Sequence, residues 1–277
     1  MTNSVPELQL SDSSTIPQLG FGVFQVPTEE TAEAVRHALA TGYRSIDTAA
    51  AYGNEAEVGE ATRSSGLDRE QLFVTTKLWN GDHGRDRARR ALEASLERLG
   101  YDYVDLYLIH WPVPSQDLYV ETWRALTEFK AEGLTRSIGV SNFQIAHLER
   151  IIDETGVTPS VNQIELHPQL QQREMRDFHE EHEILTEAWS PLGQGAVLDD
   201  PTIVEIASEL DRTPAQVVLR WHIELGNVVI PKSVTPARIE ENFEIFDFEL
   251  GDELIGRLEE LDAGERTGPD PDQFAVT

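Results

Sequence analysis

Two rhythms of apolar and polar positions alternate along the chain. Short runs rich in β-branched and aromatic residues occur at 21–23, 45–47, 73–77, 104–110, 137–141, 161–165, 184–189 and 228–231. Such runs predict strands. Between them lie amphipathic stretches with apolar residues at helical spacing. The clearest is 87–100, where Ala88, Ala91, Leu92, Ser95, Leu96 and Leu99 share one face and charges occupy the other. Helix starts are marked where Asp200, Thr213 and Thr235 each precede a proline, a capping side chain ahead of a first-turn Pro. Thr213 with Gln216 also fits a capping box. Eight strands alternating with helices predict parallel pairing and a closed α/β architecture, the (β/α)8 or TIM barrel.

The rival is an open doubly wound sheet. It would carry GxGxxG between a strand and a helix, and the GQG at Gly193 to Gly195 has no third glycine in place. Ahead of the first barrel strand, Ser11, Asp12, Ser13 and Ser14 form a turn between two short runs. Residues 1–18 therefore read as a β-hairpin cap on one barrel mouth. Gly264, Gly268, Pro269 and Pro271 make 262–277 a loop-like tail, and no linker or repeat divides 1–277 into more than one domain.

Composition narrows the function classes. The chain has 277 residues, 22 basic and 50 acidic side chains, a net charge of -28, and 39% hydrophobic residues. That apolar share can build a core, so the acid does not mark a disordered chain. The charge excludes a basic nucleic-acid binder. With no cysteine there is no disulfide framework, thiolate zinc site or Cys nucleophile. No secretory leader and no apolar window of about 18 residues is present, so a cytoplasmic protein away from membranes is expected. The acid is spread over many faces, and only Lys77, Lys130 and Lys232 are lysines. Such a surface repels itself at low salt and is screened at about 1 M, where the Debye length is about 3 Å. Adaptation to a salt-rich cytoplasm is the expectation.

Candidate chemistry collects at the strand ends. Asp47 ends the second strand, Lys77 the third, His110 the fourth and Ser141 with Asn142 the fifth; Gln163 lies on the sixth, Trp189 with Ser190 follows the seventh, and Lys232 and Ser233 follow the eighth. In barrels these C-terminal ends build the active site. Lys77 leaves an apolar strand, so its charge needs a partner, and Asp47 is the natural one. The loop after Asp47 brings Tyr52. A neighbouring ammonium would lower the phenol's pKa from about 10, and bridging three units would take about 4 kcal/mol. His110 can donate a hydrogen bond to a carbonyl and orient it. Acid, cation, counter-ion and carbonyl orienter suit carbonyl reduction by a hydride from elsewhere.

The segment GYRSIDTAAAYGNEAEVG (Gly42 to Gly59) resembles a motif of the aldo-keto reductases, as does IPKSVTPARIEENF (Ile230 to Phe243). So do TKLWN ending at Asn80, LIHWP at Leu108, IGVSNF at Ile138, VNQIELHP at Val161, AWSPLG at Ala188 and the closing GPDPDQF. The resemblance covers nearly the whole chain. It implies Tyr52 as proton donor, Lys77 and Asp47 as the pair that tunes it, and His110 as carbonyl orienter. It also implies that Ser141, Asn142 and Gln163 hold the nicotinamide amide, that Trp189 stacks on its ring, and that Ser190 and Leu192 follow the pyrophosphate. Lys232, Ser233 and Arg238 match the group binding a 2′-phosphate, with Glu241 and Asn242 near the adenine.

Two cations and a hydroxyl suit a dianionic phosphate, which favours NADPH over NADH. Gly20 and Gly22 read as tight backbone at the first strand's mouth, Gly22 beside the cofactor. Phe24, Trp79 and Trp111 stand at the family's substrate-pocket positions and would form an apolar slot. Where many relatives carry Trp, this chain has Phe24. The short tail ending near Phe274 and the brief loop after Pro112 resemble prokaryotic members of the diketogluconate-reductase type, acting on small aldehydes, keto sugars and dicarbonyls. The expected function is NADPH-dependent reduction of an aldehyde or ketone to the alcohol, without metal, by a monomer or weak homo-oligomer whose partner is a small carbonyl compound. The alternative is an NADP(H)-binding regulatory protein on the same barrel. HEEH (His179 to His182) is one residue short of zinc-protease spacing and reads as a solvated helix face.

Overall fold

The structure is a computed structural model describing residues 5–276. The hairpin forms from β1 (Glu7–Gln9) and β2 (Thr15–Pro17), antiparallel with Leu8 opposite Ile16. Asp12 closes its turn by accepting from the Ser14 backbone N–H at 3.1 Å, and it is anchored by Lys130 Nζ at 2.5 Å. Leu10 and Ile16 pack into one buried cluster with Phe73, Leu106, Leu108, Val161 and Val228. The hairpin thus plugs the end of the barrel opposite the catalytic mouth with apolar side chains.

The barrel strands are β3 (Phe21–Gly22), β4 (Ser45–Asp47), β5 (Phe73–Leu78), β6 (Val104–Ile109), β7 (Thr135–Ser141), β8 (Val161–Glu165), β9 (Leu185–Trp189) and β10 (Val228–Val229). All are parallel and pair in chain order. The seam closes between the first and last: Gly20 N–H donates to Val229 O at 2.8 Å, Val229 N–H to Gln18 O at 3.0 Å, and Gly22 N–H to Pro231 O at 3.1 Å. A Cβ at Gly22 would lie 2.8 Å from Ile230 O, so this residue is glycine because the seam is tight. That packing reason is independent of any cofactor.

Around the strands run α1 (Thr28–Thr41), α2 (Glu55–Arg63), α3 (Arg85–Leu99), α4 (Tyr119–Ala131), α5 (Ile145–Thr155), α6 (Arg173–Glu181), α7 (Pro201–Leu210), α8 (Pro214–Glu224), α9 (Pro236–Phe243) and α10 (Gly251–Glu259). On α3 the expected stripe is the buried one, with Ala88, Leu92, Ser95, Leu96 and Leu99 inward. No helix among the described residues is long and apolar enough to cross a membrane.

Two expected features differ. Asp200 and Thr213 cap α7 and α8 as expected, but the Thr235 side chain makes no cap bond at α9. Ser233 Oγ accepts from the Thr235 N–H at 3.0 Å, forming a local Ser turn just ahead of the helix. His179 is no solvated residue. It is 1% exposed, with Nε2 3.0 Å from Asn162 Nδ2 and Nδ1 2.9 Å from Thr186 Oγ1, and burial pushes its pKa down to about 3.

Many surface arginines already sit on acids, as Arg257 does on Glu205 and Glu209, so the excess of 50 acidic over 22 basic side chains stays unneutralised. Adding KCl up to multimolar concentration should raise the unfolding temperature by several degrees, each kcal/mol of relieved repulsion giving about 2–4 °C in a chain of this size. A calorimetric midpoint that stays flat with salt would contradict this.

Candidate active site

The strand register sets the site. In parallel neighbours, paired residues face the same side, and Gln163 pairs with Glu187 while Ser141 pairs with Gln163. The upper barrel interior therefore receives Asp47 from β4, Lys77 from β5, Gln163 from β8 and Glu187 from β9, all at most 2% exposed.

Lys77 is fully occupied. Its ammonium donates to Asp47 Oδ1 at 2.6 Å, to Thr48 O at 2.9 Å and to Tyr52 Oη at 3.3 Å. An ammonium has three hydrogens, so none is left over. Because Tyr52 Oη accepts here, the phenol's own hydrogen is free to be donated elsewhere. Tyr52 stands on a short turn of 3-10 helix, Ala50–Tyr52, and its ring packs edge-on against His110 with centroids 5.7 Å apart.

The expected lowering of the Tyr52 pKa is corrected by the structure. Burial raises it, Lys77 lowers it, Asp47 and Glu187 raise it again, and the net is upward. A sequence argument counts the ammonium but not the water removed from the phenol or the second carboxyl group on β9. The result is a phenol held protonated, ready to donate. Lys77 keeps its proton too: burial opposes this, but Asp47 outweighs it and the net is upward. His110 is driven well below the usual histidine range by burial and then by Lys77, so its ring is neutral. Its Nδ1 is buried without a partner.

At the fifth strand's end Asn142 adopts a left-handed backbone, φ 62°. Its Nδ2 donates to His110 O and to Ser141 Oγ, both at 3.0 Å, and its Oδ1 accepts from Trp189 Nε1 at 2.8 Å. Ser141 Oγ donates to Gln163 O at 2.9 Å. Four of the expected residues thus form one hydrogen-bonded platform beside His110. Gln163 Nε2 donates to Asp47 Oδ2 at 2.9 Å and to Glu187 Oε2 at 2.8 Å. With both amide hydrogens committed, Gln163 Oε1 remains to accept from an incoming amide N–H.

Ser190 also takes a left-handed backbone, φ 47°, and Leu192 behind it is half-buried. Beyond β10, Ser233 and Asn242 are buried while Lys232 and Arg238 are exposed. Glu241 is tied to the start of α8 by the Thr213 hydroxyl at 2.8 Å. Among the described residues no acid lies within ion-pair reach of Lys232 or Arg238. Two unpaired cations in so acidic a chain fit an anionic ligand, and with the open Gln163 acceptor they fit an NADPH-type cofactor at both its phosphate and its amide.

Phe24, 50% exposed, tilts over Tyr52 with centroids 5.0 Å apart. Trp79 lies 5.3 Å from His110, and Trp111 stacks near it at 6.4 Å. The three rings thus stand around Tyr52 and His110, and the tail joins them. Phe274 packs 4.4 Å from Trp111, and Asn80 Nδ2 donates to Val276 O at 2.7 Å. The tail is clasped by Glu165, which accepts from Thr267 N–H at 2.5 Å, Thr267 Oγ at 2.7 Å and Gly268 N–H at 3.1 Å. Burial opposes ionisation of Glu165, but these donors and His167 outweigh it and leave its pKa below the usual range.

Glu187, Phe274, Asn80 and Glu165 were not singled out as site residues from the sequence. Glu187 had a readable signal, since it lies two residues before Trp189 on a strand and so faces the same interior. The contacts of Phe274 and Asn80 depend on the path of an aperiodic tail.

Residues 18–263 match the Aldo/keto reductase family, and the chain belongs to it. Methylglyoxal reductase DkgA of Escherichia coli strain K12 is 56% identical over 269 residues, 96% of this chain and 97% of that protein. A crystal structure of an aldo/keto reductase from Brucella melitensis superposes with TM-score 0.92 at 58% identity, covering 95% of this chain and 100% of that one. A mutant of Gox0644 crystallised in complex with NADPH gives TM-score 0.94 at 50% identity, over 98% and 99% of the two chains.

Proposed function

We propose that this protein reduces an aldehyde or ketone to the alcohol, with NADPH as reductant and Tyr52 as proton donor. The observation that carries this is the state of Tyr52: its oxygen accepts from Lys77, its proton is unclaimed, and it opens on a slot lined by neutral His110 and aromatic rings.

NADPH supplies a hydride to the carbonyl carbon when bound. Everything else falls to the chain. A carbonyl oxygen in the slot accepts from the Tyr52 hydroxyl and from the His110 N–H, which fixes its position before reaction. As that oxygen gains negative charge, Tyr52 gives it the proton and is left as phenolate beside the Lys77 ammonium. Asp47 and Thr48 O hold Lys77 in place for that moment. The aromatic walls exclude water, which strengthens each of these charge interactions.

Lys232 and Arg238, with Ser233, would hold the 2′-phosphate, and Gln163 the carboxamide. Replacing Arg238 by Leu should weaken NADPH binding about 10- to 100-fold, the worth of one charge-assisted hydrogen bond, and leave NADH nearly unchanged. Fluorescence titration of both cofactors checks this; equal losses would contradict it.

The small aromatic slot and the likeness to a methylglyoxal reductase support small aldehydes, keto sugars and dicarbonyls as substrates. The setting this supposes is the cytoplasm, with the protein a monomer or weak oligomer. Loss of NADPH absorbance with a panel of such carbonyls in multimolar salt tests the reading. Binding of NADPH with no turnover on any of them would favour the regulatory alternative.

A further inference from the structure

Glu187 belongs to no part of the mechanism above, yet it is buried inside the catalytic end of the barrel. It shares Gln163 with Asp47: one Gln163 amide hydrogen goes to each carboxyl group, at 2.8 and 2.9 Å. Its other oxygen, Oε1, is buried with no partner. The titratable groups that interact with it belong to the site, namely Asp47 from β4, Lys77 from β5 and Tyr52 from the loop after β4. Its neighbour on β10 is the apolar Val228.

We infer that Glu187 is a positioning residue for the reduction, which orients Gln163 and Asp47 and, by carrying a proton, spares the barrel interior a second negative charge while Tyr52 gives up its own proton. The inference rests on the reductase reading of the same site.

Charge counting gives the reason. Asp47 and Lys77 cancel, so phenolate formation at Tyr52 brings the interior to a single negative charge. An ionised Glu187 would make it two, in a region of low dielectric. A carboxylate with one buried oxygen unpartnered is also costlier than the neutral acid. Burial, then the Asp47 charge, push the Glu187 pKa up to about 7, against the pull of Gln163 and Lys77. Below that pH Glu187 is neutral and Tyr52 is the stronger acid. Above it Glu187 is negative and raises the Tyr52 pKa further. His110 does not titrate in this window, because burial holds it far below.

The wild-type kcat for carbonyl reduction should therefore fall about tenfold as pH rises through about 7, one unit in the acid strength of Tyr52 being a factor of ten. Glu187→Gln, which keeps the shape and an oxygen for Gln163, should lose that inflection. Infrared difference spectra of the wild-type protein without substrate should show a protonated carboxyl at about pH 6 that is lost by about pH 8. The band should be missing from the Glu187→Gln spectrum. An inflection that persists in Glu187→Gln, or a wild type with no such band, overturns the role of Glu187. Failure of the wild type to turn over any carbonyl would instead overturn the reductase reading, and the infrared band separates the two cases because it needs no activity.

Discussion

Tyr52→Phe should lose about 10² to 10⁴ of kcat while binding NADPH as tightly as the parent, the range expected when a positioned general acid is removed. The substitution deletes one oxygen. The ring contacts with Phe24 and His110 remain, so the slot keeps its shape. Lys77 loses one of its three acceptors but keeps Asp47 and Thr48 O, so the buried charge stays paired. The loss is therefore chemical, and KM for the carbonyl should change far less than kcat. Steady-state kinetics with a cofactor titration on the same sample separates the two. A Phe variant as fast as its parent would remove Tyr52 from the mechanism.

Lys77→Met should damage both the fold and the reaction. The side chain is completely buried, and its removal leaves the Asp47 carboxylate, 2% exposed, with only the Gln163 amide. Breaking a buried pair from one side costs about 3–5 kcal/mol. Reduction should fall at least as far as in Tyr52→Phe, because the phenolate would form with no cation beside it. Denaturant unfolding measures the first effect and single-turnover rates the second. The double variant Asp47→Asn with Lys77→Met removes both charges and should regain part of the stability but none of the rate. That split distinguishes loss of charge pairing from loss of catalysis.

Much of the site was legible because strand ends in a barrel are few and the chemistry stands on them. Asp47, Lys77 and Gln163 lie at positions that any eight-strand reading brings to one mouth, and direct hydrogen bonds join them. Less legible were quantities that depend on burial. The Tyr52 pKa moves upward, not downward, because loss of water around the phenol outweighs the pull of the Lys77 ammonium, and the Asp47 and Glu187 carboxyl groups add to the rise. Glu187 is hard to read from sequence for a related reason: in a chain with 50 acidic residues, one more Glu stands out only once its strand face is known. His179 meets the same limit, since helix periodicity alone does not reveal that Asn162 and Thr186 lie beneath it. Gly22 shows the reverse case, a residue with a cofactor reading whose side chain is forbidden by the Ile230 carbonyl at the barrel seam.

The tail joins fold and function. Glu165 receives Thr267 and Gly268, and a Cβ at Gly268 would fall 2.4 Å from the Trp189 ring, so the chain runs in contact with the aromatic residue expected to stack on the nicotinamide. From there it reaches Phe274 against Trp111. A single buried carboxylate thereby ties the platform of β8 to the wall of the substrate slot.

The most direct test of carbonyl reduction by this chain is isotope transfer. NADPH carrying deuterium at its transferable position is incubated with the wild-type protein and a small dicarbonyl, and the product is read by NMR. Deuterium on the carbinol carbon, in amount equal to the NADPH consumed, is the predicted result. Alcohol without deuterium, or NADPH bound and left unconsumed, would contradict it.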